Sequence, residues 1–197
     1  MRVCALPIVL TVLLLGACAQ RMAETPAASG VLIARDLSVV LPRPSDLGRS
    51  VQVTQLVTAR YGNDTYVFES HIDATPERFL MVGVDSLGRR AMTVTWTDAG
   101  MTADVASWFP SSLRPENILA DMVLLYWPEA AVRQSLLLAG GELVSGPRWR
   151  SVRKDGKEIV RIEYEPTAED SPWSGKLHYR NIAWNYVMDV QSVSGAP

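Results

Sequence analysis

The residue with the most chemistry to offer is Cys18. Gly16 and Ala17 precede it, and before them lies an apolar run over 5–15, broken only by Pro7 and Thr11. Small side chains let a peptidase hold the chain extended in a narrow cleft, and a thiol just past the cut can carry a diacylglycerol. The other cysteine, Cys4, lies in the same leading stretch and leaves with it, so no disulfide is expected in the mature chain. Elsewhere reactive groups are sparse. His71 and His178 are the only histidines, each on an alternating segment and in no metal-ligand spacing. Both read as exposed strand residues. No Gly-x-Ser-x-Gly elbow, phosphate-cradling glycine loop or dinucleotide fingerprint occurs. Asp121 interrupts a strongly apolar stretch and reads, with Asn117, as its narrow polar face. Arg89 and Arg90 read as solvated charges that follow a turn. The expectation is a non-enzyme with no catalytic residue, no metal ligand and no cofactor.

Arg2, the short apolar core and Leu15-Gly16-Ala17-Cys18 together resemble the bacterial lipoprotein signal with its lipobox. That core is about half the length a bilayer-spanning helix needs. The resemblance implies a signal peptide over 1–17, cleavage between Ala17 and Cys18, and acylation of Cys18. One acyl chain holds a protein marginally and two hold it stably, so a lipidated cysteine needs no transmembrane helix. Ala19 stands where the known sorting rule places an aspartate for inner-membrane retention. That difference implies the periplasmic face of the outer membrane, with the bilayer as a partner through Cys18. Small and polar residues such as Gln20, Thr25, Pro26 and Ser29 make 18–39 read as a flexible tether.

Charge narrows the remaining classes. The 197 residues carry 19 Lys+Arg against 21 Asp+Glu, with no basic block, which excludes a generic nucleic-acid binder. The 48% hydrophobic and 20% charged content suits one ordinary globular domain, expected over 40–193 with a tail over 194–197.

The elements that hold these groups follow from period and punctuation. Leu41-Pro42-Arg43-Pro44 reads as an extended, proline-fixed lead-in. From Ser50 the period is two, with Val51, Val53, Val57 and Ala59 alternating with Gln52, Thr54, Thr58 and Arg60. Turns at Gly62-Asn63-Asp64, Ser86-Leu87-Gly88 and Asp98-Ala99-Gly100 divide the runs up to Ala106 into a five-strand antiparallel meander. After Pro110 the period becomes helical. Pro115 suits a first helical position, and Glu116 favours the positive end of the helix dipole. Ile118, Leu119, Met122, Leu125 and Tyr126 fall on one stripe, which Val123 and Leu124 widen. A second helix runs from Pro128 to Gly140-Gly141. Strands return at Leu143, a tight hairpin turn is expected at Asp155-Gly156, and strands near 176–179 and 184–193 end the domain. The expected fold is mainly β (α+β): a curved antiparallel half-barrel sheet of roughly eight to ten strands, with two central helices packed on its concave face.

A helix that is apolar nearly all round must be enclosed, and a curved sheet can enclose it. The same geometry builds an apolar cavity when the helix plugs a half-open barrel. Ile118, Leu119, Met122, Leu125 and Tyr126 are therefore the candidate cavity or lid residues. The six tryptophans are spread over the mature domain and read as core or rim packing rather than a base-stacking platform. The leading reading is non-enzymatic binding or transfer of a lipid or acyl-type ligand. Two alternatives stay open, a filled interaction module of an envelope assembly and a hydrolase or acyltransferase, and the oligomeric state is also open.

Several motifs carry a more specific likeness. The lipobox, Leu41-Pro42-x-Pro44, and Val82-Gly83-Val84-Asp85-Ser86-Leu87-Gly88-Arg89-Arg90 resemble the proteobacterial lipoprotein family called domain of unknown function 3261. So do Leu119-Ala120-Asp121, Tyr126-Trp127-Pro128, Asp155-Gly156 with Ile159 and Tyr164, and Trp173-x-Gly175-x-Leu177. Members often accompany genes for aryl polyenes, lipid-like pigments of the outer membrane, so the resemblance implies a related cargo and transfers no catalytic residue. More distantly, the order strands, helices, strands resembles the periplasmic lipoprotein carriers LolA and LolB, whose half-barrels hold acyl chains under helical lids. Fold analogy of this kind does not establish function.

Overall fold

The computed structural model describes residues 30–165, 167 and 171–194. Ala17, Cys18, the signal peptide expected over 1–17, most of the expected tether and residues 195–197 of the expected tail lie outside the described residues. In chain order the strands are β1 (Val31–Ala34), β2 (Leu37–Val39), β3 (Val51–Tyr61), β4 (Asp64–Ala74), β5 (Phe79–Asp85), β6 (Arg90–Thr97) and β7 (Gly100–Val105). Helices α1 (Pro115–Tyr126) and α2 (Glu129–Leu138) follow, and then β8 (Glu142–Gly146), β9 (Trp149–Lys154), β10 (Lys157–Tyr164), β11 (Gly175–Asn181) and β12 (Tyr186–Ser194).

The alternation in the sequence becomes two faces of one sheet. Val51, Val53, Gln55, Val57 and Ala59 of β3 are buried, while Gln52, Leu56 and Arg60 between them are exposed. Ten strands pair in the order β7-β6-β5-β4-β3-β12-β11-β10-β9-β8, and every pairing is antiparallel. Two meanders, β3 to β7 and β8 to β12, therefore meet along β3 and β12. Each neighbour adds a right-handed twist of about 20–25°, so ten strands curl into an open half-barrel. Its edges, β7 and β8, lie at opposite ends, and the connection over 106–141 must cross from one to the other. That connection holds both helices, and it crosses on the concave face. Among the described residues no helix is long and apolar enough to cross a membrane.

Local chemistry sets the details. Asp155 and Gly156 take φ of 49° and 73°, the left-handed pair that a two-residue hairpin turn requires. Consecutive buried residues, Ala91-Met92 on β6 and Ile159-Val160 on β10, break the alternation near irregularities in register at Gly83/Val84 and Glu158/Val160. Trp184, expected in the last strand, instead sits in the β11–β12 turn, where Asn181 Oδ1 accepts its backbone N–H at 2.9 Å. The lead-in tightens at Pro44–Leu47 into a turn of 3-10 helix.

The tether expectation needs correction. Residues 31–39 are not a flexible linker but a β1–β2 hairpin, with Ile33, Ala34, Leu37 and Val39 buried. Ile33 and Val39 line one apolar seam with Ala120, Val123 and Leu124 of α1 and Val132 and Leu136 of α2. Gly141 packs closely beneath this hairpin: a Cβ there would meet both Leu37 methyls at 3.3 Å, tighter than an ordinary contact. Helix α1 thus has the sheet on one side and the hairpin with α2 on the other. That is why every residue from Leu119 to Tyr126 is buried, and why so apolar a sequence folds as a helix here.

Candidate functional site

Helix α1 is held at one end and faces open space at the other. Its last carbonyls, unpaired within the helix, find partners on β9 and β10. Arg150 Nη1 donates to Leu124 O at 3.0 Å and to Trp127 O at 2.9 Å, and Tyr164 Oη donates to Leu125 O at 2.8 Å. A guanidinium at that end also faces the negative pole of the helix dipole. Trp127 packs against Phe79 and Trp96, with ring centroids 5.7 and 5.5 Å away, and its Nε1 donates to Arg43 O at 3.1 Å. Tyr126 stacks on Trp173 at 4.0 Å, and its hydroxyl accepts from Gln55 Nε2 at 2.8 Å. The N-terminal end has no such fixation: Arg114 occupies the cap position without a side-chain cap bond, and Pro115 starts the helix.

Between that N-terminal half and the concave sheet lies a cavity of about 740 Å³. Its deep wall is apolar, built from Val57 and Ala59 of β3, Met188 and Val190 of β12, and Met122 of α1, all buried. Phe68, Met101 and Ile118 are half-buried and continue that wall outward. Exposed Leu32, Arg60, Tyr61 and Arg114 form the rim. Arg60 is paired with Asp189 at 2.7 Å, and Arg114 with Glu116.

One charged side chain belongs to the deep wall. Asp121 is 5% exposed. Its Oδ1 accepts from Tyr179 Oη at 2.5 Å, and its Oδ2 accepts from Tyr186 Oη at 2.5 Å. Burial pushes the carboxyl up to about 7 and outweighs the two tyrosine hydrogen bonds, which act to lower it. Burial beside this carboxylate holds both tyrosine hydroxyls well above their usual range.

The five stripe residues divide. Ile118 and Met122 line the cavity, while Leu119, Leu125 and Tyr126 do not and are packed in the core. Periodicity selects the apolar positions of a helix, but this helix is covered on several sides and only one side borders the cavity. The cavity side is Asn117, Ile118, Asp121 and Met122, at i, i+1, i+4 and i+5. Asp121 is thus no solvated polar face. Its lone charge within an apolar run was the signal in the sequence, but the tyrosines that bind it lie 58 and 65 residues away.

The other candidates take ordinary roles. His71 meets Glu69 at 2.8 Å and Thr54 at 3.2 Å, and His178 meets Asp189 at 2.8 Å, all outside the cavity lining. Arg89 pairs with Asp85 at 2.7 Å and lies 4.6 Å from the Trp108 ring centre, and Arg90 pairs with Asp104. Among the described residues no cluster of His, Cys, Asp and Glu could hold a metal ion.

No curated protein matches the chain. A family model does match, over residues 52–194, which spans the main sheet from β3 to β12 and both helices. The chain belongs to that family, described as a protein of unknown function, DUF3261.

Proposed function

We propose that this chain is a non-enzymatic lipoprotein that takes a lipid or acyl-type chain into the cavity beneath α1. Cys18 holds it at the periplasmic face of the outer membrane, and its task is to carry or insert that ligand there. The observation that carries the reading is the open volume of about 740 Å³ behind an apolar wall. Ligand pockets span roughly 300–1,000 Å³, whereas a filled module would close such space with side chains. Each methylene buried there contributes about 0.8 kcal/mol, so a long chain needs few polar contacts. The pinned C-terminal end and the unfixed N-terminal end of α1 suit a lid that admits the chain near Arg114. The half-barrel crossed by helices supports the likeness to acyl-chain carriers, and aryl polyenes fall within the cargo class. Both histidines lie outside the cavity lining, which favours binding over acyl transfer.

The test is titration of the purified chain with a neutral fluorescent alkyl probe. Saturable binding is expected, displaced by unlabelled long-chain alcohol. Ile118→Glu, at a half-buried wall position, should weaken it by at least about tenfold while circular dichroism stays native. Absence of saturable binding by the parent chain would exclude the reading.

A further inference from the structure

Among the described residues, Asp121 is the one cavity-wall group whose surroundings leave a buried charge without a counter-charge. The cations that line the same space, Arg60 and Arg114, stand at its exposed rim, each already paired with a carboxylate. What reaches Asp121 from β11 and β12 is two tyrosine hydroxyls and no cation. Both hydroxyl hydrogens are committed to it. An ionised carboxylate accepts about four hydrogen bonds, so each Asp121 oxygen keeps a free lone pair, and each tyrosine oxygen can accept as well. Asp121 and Tyr186, the two of the three that line the cavity, therefore present acceptors and no donor to it. The two tyrosines also lock the carboxylate, so a ligand need not organise it.

We propose that the ligand of this cavity is an amphiphile bearing a protonated amine, and that Asp121, oriented by Tyr179 and Tyr186, receives that amine. The proposal rests on the cavity being a site for an apolar chain, and adds the chemistry of the group the chain carries. An ammonium is the complement of what Asp121 and Tyr186 offer, with three donors, no acceptor and the missing positive charge, while the unpartnered Trp184 Nε1 on the same wall is a donor left to another group of the ligand. A hydroxyl brings a donor without the charge, so it leaves the buried carboxylate without a counter-ion. A carboxylate brings a second negative charge into a desolvated wall and is repelled. The fold already bears the cost of desolvating Asp121, so the amine loses only its own hydration on binding.

The experiment compares dodecylamine, dodecanol and dodecanoate as competitors for the neutral alkyl probe on the purified chain at about pH 8, where the amine is protonated and Asp121 ionised. Dodecylamine should displace the probe at least about tenfold more effectively than dodecanol, and dodecanoate should be weakest. Asp121→Asn should abolish the amine's advantage, read as the ratio of dodecylamine to dodecanol displacement on the same protein. A second measurement does not depend on the variant folding. At about pH 6.5, dodecylamine should drive the Asp121 carboxyl carbon resonance to its ionised position, and dodecanol should not. Equal displacement by amine and alcohol, a preference that survives in Asp121→Asn, or a carboxyl resonance that does not move would each overturn the proposal and leave the cavity reading standing. Failure of the probe and dodecanol to bind would overturn both.

Discussion

Replacing Asp121 with asparagine separates the cost of a buried charge from the worth of its hydrogen bonds. The folded carboxyl titrates at about 7 against an ordinary 3.8, because burial outweighs the two tyrosine bonds. Between those values the native state holds a proton that the unfolded chain has released. Stability must therefore fall as pH rises through this window, by up to about 1.4 kcal/mol per pH unit and of order 4 kcal/mol in all. The sign is opposite to that of a salt-bridged carboxylate: the loss begins above the unfolded value and is complete only above the folded one. Asparagine has no charge to desolvate, so this dependence disappears in the variant. Its amide replaces one acceptor by a donor, as protonation of the parent's carboxyl also does in part, so at low pH the variant loses a tyrosine bond worth at most about 1–3 kcal/mol. Asp121→Asn should thus be less stable than the parent at about pH 4.5 and equal to it or better at about pH 8. Urea unfolding at half-unit steps, followed by tryptophan fluorescence, gives the difference between the two proteins, in which contributions common to both cancel. A difference that stays constant across the window would show that Asp121 ionises at an ordinary pH and that its burial exerts no such effect.

Two further outcomes concern α1 and Cys18. Leu125 is 0% exposed and lies outside the cavity lining, so Leu125→Ala should cost about 2–5 kcal/mol in urea unfolding; Ile118→Ala, beside open space, should cost less than half as much, and equal costs would mean that the cavity is not open. Cys18→Ser should abolish labelling by a metabolic fatty-acid probe and move the protein out of the membrane fraction or leave it unprocessed, whereas equal labelling of both forms would refute acylation at Cys18.

The strands and helices were legible because each is set by local signals. Period-two runs gave the walls of the half-barrel, and Asp155-Gly156 marked its turn because both residues accept the left-handed backbone that a two-residue hairpin needs. The helix stripe was legible as well, and two of its residues, Ile118 and Met122, line the cavity. What failed was decided at long range. The β1–β2 hairpin follows a polar, proline-bearing stretch, and its apolar residues acquire a role only when α1 and α2 arrive beneath them. That same cover turns Leu119 and Tyr126 into core residues. Asp121 and Asn117 were correctly placed on one side of the helix, but no local pattern says whether that side meets water, sheet or cavity. The tyrosines that complete its environment sit on strands of the far meander, where they read as ordinary inward-facing aromatics. Register irregularities at Ile159-Val160 and Ala91-Met92 likewise answer to partner strands rather than to their own sequence.

The central claim is that an apolar chain enters the space beneath the N-terminal half of α1. Methyl NMR of the methionines tests it most directly, because Met101, Met122 and Met188 line that space while Met81 and Met92 are buried outside it. Titration with dodecanol should shift the first three methyl resonances saturably and leave the other two nearly in place. Resonances that do not move, or five that move alike, would contradict the account.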